Sequence, residues 1–140
     1  MIIINKRNLF FLISVWLLST LLSAQNVTIS TPHTQLLLSV PNGGTPEQLY
    51  YGSRTSDADI RSICETARRR NAYPVYGMGY PCETALSVRH ADGNLTLQMA
   101  VIGVKETRLT KENATLTVIE LKDKVYPFFV NICYKAWQDA

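Results

Sequence analysis

The stretch TLTVIELKDKVYPFFVNICYKAW, residues 115–137, decides the fold because it contains two strand patterns joined by a short polar turn. Thr115–Leu121 is rich in β-branched residues, Lys122–Lys124 supplies the turn, and Val125–Trp137 follows with apolar residues at alternate positions. A period of two is typical of a strand that buries one face, and here the repeated residues are Phe128, Val130, Ile132 and Tyr134. Pro127 cannot donate a ladder hydrogen bond, so it belongs at the start of the strand or at an edge. The stretch therefore predicts an antiparallel strand pair.

A second strand pair is predicted immediately before the first. In Thr84–His90 the apolar residues again alternate, and Leu95–Val101 continues the same period after the turn sequence Ala91–Gly93. The Asp-Gly step suits a tight hairpin turn because it tolerates positive φ. Two shorter strands, Gln35–Val40 and Gln48–Tyr51, precede this region. Four consecutive antiparallel strands bury one face and need a second layer to cover it, so we expect a mainly β fold, an antiparallel β-sandwich.

One short helix interrupts the strands, and it is predicted to run from Ser56 to about Asn71. Ser56 with Asp59 three residues later fits a capping box, and one apolar stripe follows at helical spacing: Ile60, Ile63, Cys64 and Ala67. The Asp57–Asp59 pair also resembles a DxD metal or acid/base pair, but acids favour the first turn, where the helix dipole is positive. Arg68–Arg70 likewise suit the last turn. We interpret both groups as helix-end residues and expect no catalytic residue and no metal site here.

The N-terminal segment has the three-part layout of a secretory signal peptide. The apolar run Leu9–Leu22 is followed by the small residues Ser23 and Ala24, and two cations precede it, Lys6 and Arg7. Fourteen helical residues rise roughly 21 Å, less than the ~30 Å hydrocarbon core of a bilayer, so a permanent membrane anchor is the weaker alternative. We expect a signal peptide over residues 1–24, a mature domain over residues 25–140, and export to the periplasm or the extracellular space without membrane attachment.

The overall charge gives no sign of a nucleic-acid partner. The formal net charge of +3 falls to +1 without residues 1–24, which hold two positive charges and no acid. A nucleic-acid-binding domain normally shows a concentrated basic face, whereas the basic run here is limited to Arg68–Arg70. We therefore expect no nucleic-acid partner, and no motif in the chain predicts a cofactor.

Three cysteines follow the predicted signal peptide: Cys64, Cys82 and Cys133. Their spacing contains no CxxC pattern, so a zinc site is not expected. An odd number of cysteines in an exported chain permits at most one internal bridge and leaves a free thiol. Cys64 with Cys82 is the candidate bridge, and Cys133 lies in the alternating strand pattern, where we expect it to be buried.

Two stretches carry a resemblance to a known family. TQLLLSVPNGGTPEQLYYG (Thr34–Gly52) looks like an opening strand, a glycine turn and an aromatic-rich second strand. YPCETALSVRHADGNLTLQMAVIGVKETRL (Tyr80–Leu109) followed by NATLTVIELKDKVYPFFVNICYKAW (Asn113–Trp137) is longer and more specific, with its HADGN hairpin and its LKD-VYPF connection. Together they resemble the N-terminal β-supersandwich domain of bacterial α-galactosidases of glycoside hydrolase family 36, over roughly Gln35–Trp137.

The resemblance implies that this chain is one part of an enzyme with three domains. Such enzymes combine an N-terminal supersandwich, a (β/α)8 barrel and a C-terminal β-domain, and they remove terminal α-linked galactose with retention by means of two barrel aspartates. The chain is shorter than the family's supersandwich, so we expect a truncated N-terminal part whose catalytic aspartates would lie beyond Ala140. None of this chain's own aspartates matches the catalytic motif. The implied partners are α-galactosides, through the parent enzyme, and further subunits of a homo-oligomer. A stand-alone secreted carbohydrate-binding or interaction module is the alternative.

The resemblance also indicates which residues could approach substrate. Loops of this domain approach the active site in oligomeric relatives, and the corresponding region here is Tyr73–Glu83 (YPVYGMGYPCE). Aromatic faces stack on sugar C–H surfaces and a carboxylate accepts hydroxyl hydrogen bonds, so Tyr76, Tyr80 and Glu83 are the substrate-proximal candidates. The alternative is a connecting loop whose aromatic rings pack on the sheet.

A truncated supersandwich would lack part of the second layer that covers the apolar face of its sheet. Apolar side chains such as Phe128, Ile132 and Trp137 would then meet water, and exposed apolar patches and free strand edges favour association. We therefore expect marginal stability and self-association.

Overall fold

The computed structural model describes residues 25–139, and the predicted signal peptide lies outside this range. The described residues form two antiparallel sheets with one short α-helix, which confirms the mainly β sandwich. No helix in this part of the chain has the length and apolar character needed to cross a membrane.

The first sheet has the order β1-β2-β3-β4, and all its strands pair antiparallel. Its strands are β1 (Gln25–Ser30), β2 (Thr34–Val40), β3 (Glu47–Ser53) and β4 (Arg70–Asn71). β2 and β3 confirm the two short strands predicted from the sequence, and both are longer than predicted. β1 was not predicted, although the alternation of Val27 and Ile29 is the signal that indicates it.

The second sheet has the order β5-β6-β7, with β5 at Met99–Leu109, β6 at Ala114–Asp123 and β7 at Phe129–Trp137. A 3-10 turn at Thr110–Glu112 and a left-handed Asn113 (φ 45°) connect β5 to β6. β6 and β7 pair antiparallel along their whole length, which confirms the pair predicted over residues 115–137.

The predicted strand Thr84–His90 is wrong, because the segment Pro74–Tyr76 takes its place in the hydrogen bonding. Ala85 N donates to Pro74 O at 2.8 Å, and Leu97 N donates to Tyr76 O at 3.0 Å. These bonds place Pro74–Tyr76 between the two arms of the expected hairpin. The turn itself is present, with His90 N donating to Asn94 O at 2.9 Å, but regular pairing begins only at β5.

The helix α1 spans Asp57–Thr66 and starts as predicted. Ser56 Oγ accepts the Asp59 backbone N–H at 3.3 Å and donates to Asp59 Oδ2 at 2.7 Å. The predicted end near Asn71 is wrong, since Ala67 is already extended and the three arginines follow the helix. Arg69 instead pairs with Glu47 at 3.0 Å.

The two sheets share one core. It combines side chains from both sheets with two residues of the connecting region: Val27, Leu38, Val40, Val75, Leu97, Met99, Val101, Ile119 and Leu121. Phe128 and Ile132 pack against this core, so the expectation that they lack cover is wrong: the first sheet supplies the second layer. Trp137 does remain 46% exposed.

Candidate functional site

The loop that carries the predicted substrate-proximal residues is fastened at its base and exposed at its tip. Val75 is buried in the shared core and forms a parallel bridge with Leu86. Beyond it the backbone turns through two glycines with positive φ, Gly77 at 93° and Gly79 at 73°. Glycine adopts this conformation without the steric penalty that a Cβ brings. The chain therefore leaves the core, turns sharply and returns.

The three candidate side chains all lie on the exposed tip. Tyr76 is 49% and Tyr80 44% exposed, and Glu83 is also exposed. Met78 stands between the tyrosines at 45% exposure and was not predicted from the sequence. Aromatic rings and carboxylates are groups that commonly bind sugars, and this loop exposes two rings and one carboxylate. That these three side chains contact substrate stays a prediction.

A second cluster forms where the turn His90–Asn94 packs against the connection between β6 and β7. The rings of His90 and Tyr126 stack at a centroid separation of 3.6 Å with 10° between their planes. Phe128 meets His90 edge-on at 6.4 Å. A cleft of about 360 Å³ opens beside this contact. His90 Nε2 is buried there and forms no hydrogen bond with any residue of the described range.

Three polar side chains of this cluster, those of Asp92, Asn94 and Tyr126, hydrogen-bond one another. Tyr126 Oη donates to Asp92 Oδ2 at 2.6 Å and accepts from Asn94 Nδ2 at 2.9 Å. The hydrogen bond from Tyr126 lowers the pKa of Asp92, with help from the Asn94 backbone N–H, and the same bond raises the pKa of Tyr126. The arrangement joins two loops, and both oxygens of Asp92 accept hydrogen bonds within it.

Asp123, at the end of β6, is 1% exposed and holds the neighbouring backbone in place. Its Oδ1 accepts the backbone N–H groups of Val125 and Tyr126 at 2.8 and 2.9 Å, and its Oδ2 accepts that of Gln98 at 2.8 Å. Burial raises the pKa of this carboxyl, but the three hydrogen bonds and the nearby His90 outweigh it and bring the pKa below its ordinary value of 3.8. The sequence suggested only a polar turn here, because nothing in it shows that residue 98 lies beside residue 123.

A wider cleft of about 390 Å³ lies between β3 and α1. Its lining combines aromatic and basic side chains, among them Tyr50, Tyr51, Arg68 and Arg70. Tyr51 is 68% exposed, so its ring is available to a ligand. No group of three or more His, Cys, Asp or Glu residues within 25–139 is placed to hold a metal ion.

The three cysteines are free thiols in this structure. Cys64 is partly buried and its Sγ accepts a hydrogen bond from Asn26 Nδ2 at 3.3 Å, whereas Cys82 is exposed. The Cys64–Cys82 bridge stays a prediction. The expectation that Cys133 is buried is wrong, because its side chain points to the outer face of β7, which no second layer in the described range covers.

Several solved structures with the same fold are α-galactosidases. An α-galactosidase from Lactobacillus brevis superposes with a TM-score of 0.69 at 15% identity, covering 83% of this chain and 20% of that chain. A family 36 α-galactosidase from Geobacillus stearothermophilus in complex with 1-deoxygalactonojirimycin gives 0.70 at 14% identity, covering 81% of this chain and 20% of that one. The chain thus spans about a fifth of the length of these enzymes. At these identities the likeness concerns the fold alone.

The comparison with protein families identifies the domain. The glycosyl hydrolase family 36 N-terminal domain matches residues 44–140, which include all of β3 to β7, the helix α1 and both loops of the sites described above. A comparison with curated proteins finds no match. Since the match covers well over half of the sequence, the chain belongs to the family of glycosyl hydrolase family 36 N-terminal domains.

Proposed function

We propose that this chain is the first part of an exported α-galactosidase that hydrolyses terminal α-galactosyl residues of oligosaccharides with retention. The family match over residues 44–140 carries the proposal. Variants of the Geobacillus stearothermophilus enzyme with the same fold hold raffinose and stachyose. In this proposal residues 1–24 are a signal peptide, residues 25–140 are an incomplete N-terminal sandwich domain, and the parent enzyme is a homo-oligomer.

The chemistry is proposed to come from the rest of the parent enzyme. Retaining hydrolysis needs two carboxyl groups about 5–5.5 Å apart, one free to attack and one free to exchange a proton. In this chain Asp92 is hydrogen-bonded by Tyr126, and Asp123 accepts three backbone N–H groups. Neither of these two meets that requirement. Because the resemblance implies that both catalytic aspartates lie in the barrel of the parent enzyme, we expect the chain alone to be inactive.

The loop tip is proposed as this domain's contribution to substrate binding. In this proposal the exposed rings of Tyr76 and Tyr80 stack on a galactose face, and the exposed carboxylate of Glu83 on the same loop accepts hydrogen bonds from sugar hydroxyl groups. The base of the loop is fastened to the core through Val75. The base therefore holds the two ends of the tip, so only the tip itself has to become ordered when a sugar binds.

A stand-alone carbohydrate-binding module is the second candidate. The observation that favours it is the cleft between β3 and α1, where the exposed ring of Tyr51 lies beside Arg68 and Arg70. The shared core of the two sheets also shows that the described residues bury an apolar interior without a further layer.

Two measurements on the purified chain separate these functions. The first is turnover of an aryl α-galactoside, for which we expect no release above buffer; activity that persists at constant specific activity through purification would contradict the proposal. The second is titration with raffinose followed by tyrosine NMR signals. Binding that is lost in Tyr51→Ala but kept in Tyr76→Ala supports the stand-alone module. The nucleotide sequence after codon 140 tests the proposal directly, because a family 36 parent requires the rest of the sandwich and a barrel in frame.

Export is tested separately. The chain is expressed with its own N-terminal segment in a bacterial host, and the mass of the purified product is measured. We expect a product that begins at Gln25. An intact chain retained in the membrane fraction would support the anchor alternative.

A further inference from the structure

The cleft between β3 and α1 is built by one continuous stretch of the chain. All the residues that line it lie within 48–70: β3 forms one wall, the end of α1 forms the other, and the extended segment after the helix leads into β4. Arg70, at the start of β4, is the cross-strand partner of Gln48 in β3. The volume of about 390 Å³ lies within the range of about 300–1,000 Å³ that is usual for small-molecule sites. The walls of this cleft are therefore set by pairing and packing inside residues 48–70.

Two arginines line the cleft because the chain is extended after α1. Side chains alternate between opposite sides of an extended backbone, and Ala67, the C-cap residue of α1, is already extended (φ −63°, ψ 141°). Arg69 does not line the cleft, and its Nη1 donates to Glu47 Oε2 at 3.0 Å. Arg68 and Arg70, on either side of it in sequence, both line the cleft.

The cleft carries positive charge without a compensating carboxylate from the described residues. Within 25–139, the ion pairs are made by Arg69, Lys105 and Lys135, and neither Arg68 nor Arg70 takes part in one. The other residues that line the cleft are neutral. A guanidinium group presents a planar fork of N–H donors that matches the two oxygens of a carboxylate. The side chains of the cleft therefore favour a ligand with a negative charge.

The same cleft offers an aromatic ring to the ligand. Tyr51 is 68% exposed. The neighbouring Tyr50 is held in place, because its Oη donates to Ser53 O at 2.8 Å and its ring lies over Gly52, where a Cβ would be 2.6 Å from Tyr50 Oη. Tyrosine combines an apolar ring face with a polar end, and such a face can stack on the C–H groups of a sugar ring. A ring beside two cations matches a ligand that contains both a sugar ring and a negative charge.

We propose that the cleft between β3 and α1 binds an acidic saccharide, whose carboxylate is held by Arg68 and Arg70 and whose sugar ring stacks on Tyr51. The negative charge of the ligand follows from the cleft alone, whereas its being a saccharide rests on the proposed function. Galacturonic acid represents this class most directly, since it is galactose with a carboxylate in place of the C6 hydroxymethyl group. The cleft is a different site from the loop tip that carries Tyr76, so each can be tested without the other.

Two ligands that share their sugar rings and differ in charge test the need for an anion. The purified chain is titrated with trigalacturonate and with its fully methyl-esterified form, and binding is measured by calorimetry. We expect saturable binding of trigalacturonate in the millimolar range and binding of the ester that is at least about 5-fold weaker. Raising the salt concentration from about 0.05 to about 0.5 M should weaken only the binding of the acid form, because salt screens exposed charges. Equal affinities for the two forms, or no saturable binding of trigalacturonate, would overturn the proposal.

Paired variants locate the site. Arg68→Gln together with Arg70→Gln should weaken trigalacturonate binding by roughly 3- to 30-fold. Arg54→Gln together with Arg61→Gln is the matched control, since it removes the same charge from two exposed residues outside the cleft, and it should change the affinity by less than about 2-fold. Tyr51→Ala should also weaken binding, and Tyr51→Phe should retain it. Far-UV circular dichroism checks that each variant is folded.

The variants also separate this inference from the proposed function. Equal losses in the two arginine pairs would show attraction to the overall charge of the chain and would overturn the inference, as would full affinity after loss of Arg68 and Arg70. Tyr76→Ala should leave trigalacturonate binding unchanged. Binding in the cleft, together with a coding sequence that contains no barrel after codon 140, would support this inference and contradict the proposed function. An active parent enzyme whose cleft does not bind trigalacturonate would contradict this inference alone.

Discussion

Replacing Asp123 by Asn tests whether one buried carboxylate holds the second sheet to its flanking loops. Asp123 accepts three backbone N–H groups with two oxygens. An asparagine has nearly the same shape but only one acceptor oxygen, and its amide nitrogen is a donor. If the asparagine oxygen still accepts the N–H groups of Val125 and Tyr126, its NH2 group faces the N–H of Gln98. Two donors then face each other, and neither has an acceptor.

The free energy of unfolding lost in Asp123→Asn depends on how many backbone N–H donors lose their acceptor. A hydrogen bond to a charged group contributes about 1.5–3 kcal/mol, and a buried donor without an acceptor costs about 1–3 kcal/mol. Losing the bond to Gln98 therefore predicts a decrease of roughly 1.5–3 kcal/mol in the free energy of unfolding. With a urea m-value of about 1–3 kcal/mol/M, the unfolding midpoint should fall by roughly 1 M.

The assay is urea unfolding followed by circular dichroism, with Asp139→Asn as the control because Asp139 is exposed. We expect the control to remain within about 0.5 kcal/mol of the wild type. Equal midpoints for Asp123→Asn and the control would refute the reasoning.

The pH dependence supplies a second check on the same residue. The pKa of Asp123 is lower in the folded chain than its ordinary value of 3.8. Its ionised form therefore stabilises the fold above that pH, and this contribution is lost as the pH falls through the folded pKa. The gap in unfolding free energy between the wild type and Asp123→Asn should narrow below about pH 3.8. A gap that widens in acid would contradict the sign of the shift.

Two further variants test the core and the loop in the same unfolding assay. Leu97→Ala removes a side chain with 0% exposure and should lower the free energy of unfolding by about 2–5 kcal/mol. Leu95→Ala, at a side chain that is 41% exposed, should change it by less than about 1 kcal/mol. Similar losses in the two variants would contradict the assignment of Leu97 to the core. Gly77→Ala should destabilise the chain more than Gly79→Ala, because both glycines have positive φ but a Cβ at Gly77 would lie 2.5 Å from Thr96 Cγ2 and one at Gly79 meets nothing within 4 Å. The reverse order would contradict the described loop.

The strands that depend on local pattern could be predicted from the sequence. β6 and β7 follow from alternation and a polar turn, and the start of α1 follows from Ser56 and its two acids. The failures share one cause, which is pairing between distant segments. Thr84–His90 alternates as a strand should, but Pro74–Tyr76 takes the hydrogen bonds that its hairpin partner would have made. The arginines after α1 suit a helix end, but β4 pairs with β3 instead.

The candidate site, like the fold, has features that the sequence predicts and others that depend on contacts between distant segments. The sequence and the resemblance indicated which loop carries exposed aromatic residues, and the structure places Tyr76 and Tyr80 on its tip. The contact of His90 with Tyr126 was not predicted, because the two rings are separated by a long stretch of chain and neither residue type demands the other.

The insertion of Pro74–Tyr76 has a consequence for the timescale on which the exposed loop moves. Its hydrogen bonds to Ala85 and Leu97 flank Val75, which is buried in the core, so we expect these two amides to exchange with solvent deuterium only when the core opens. The tip between Tyr76 and Glu83 has no such bonds to β-strands in the described range and should exchange far sooner. The loop thus combines a base that moves with the slow opening of the whole domain and a tip that samples conformations in nanoseconds to microseconds.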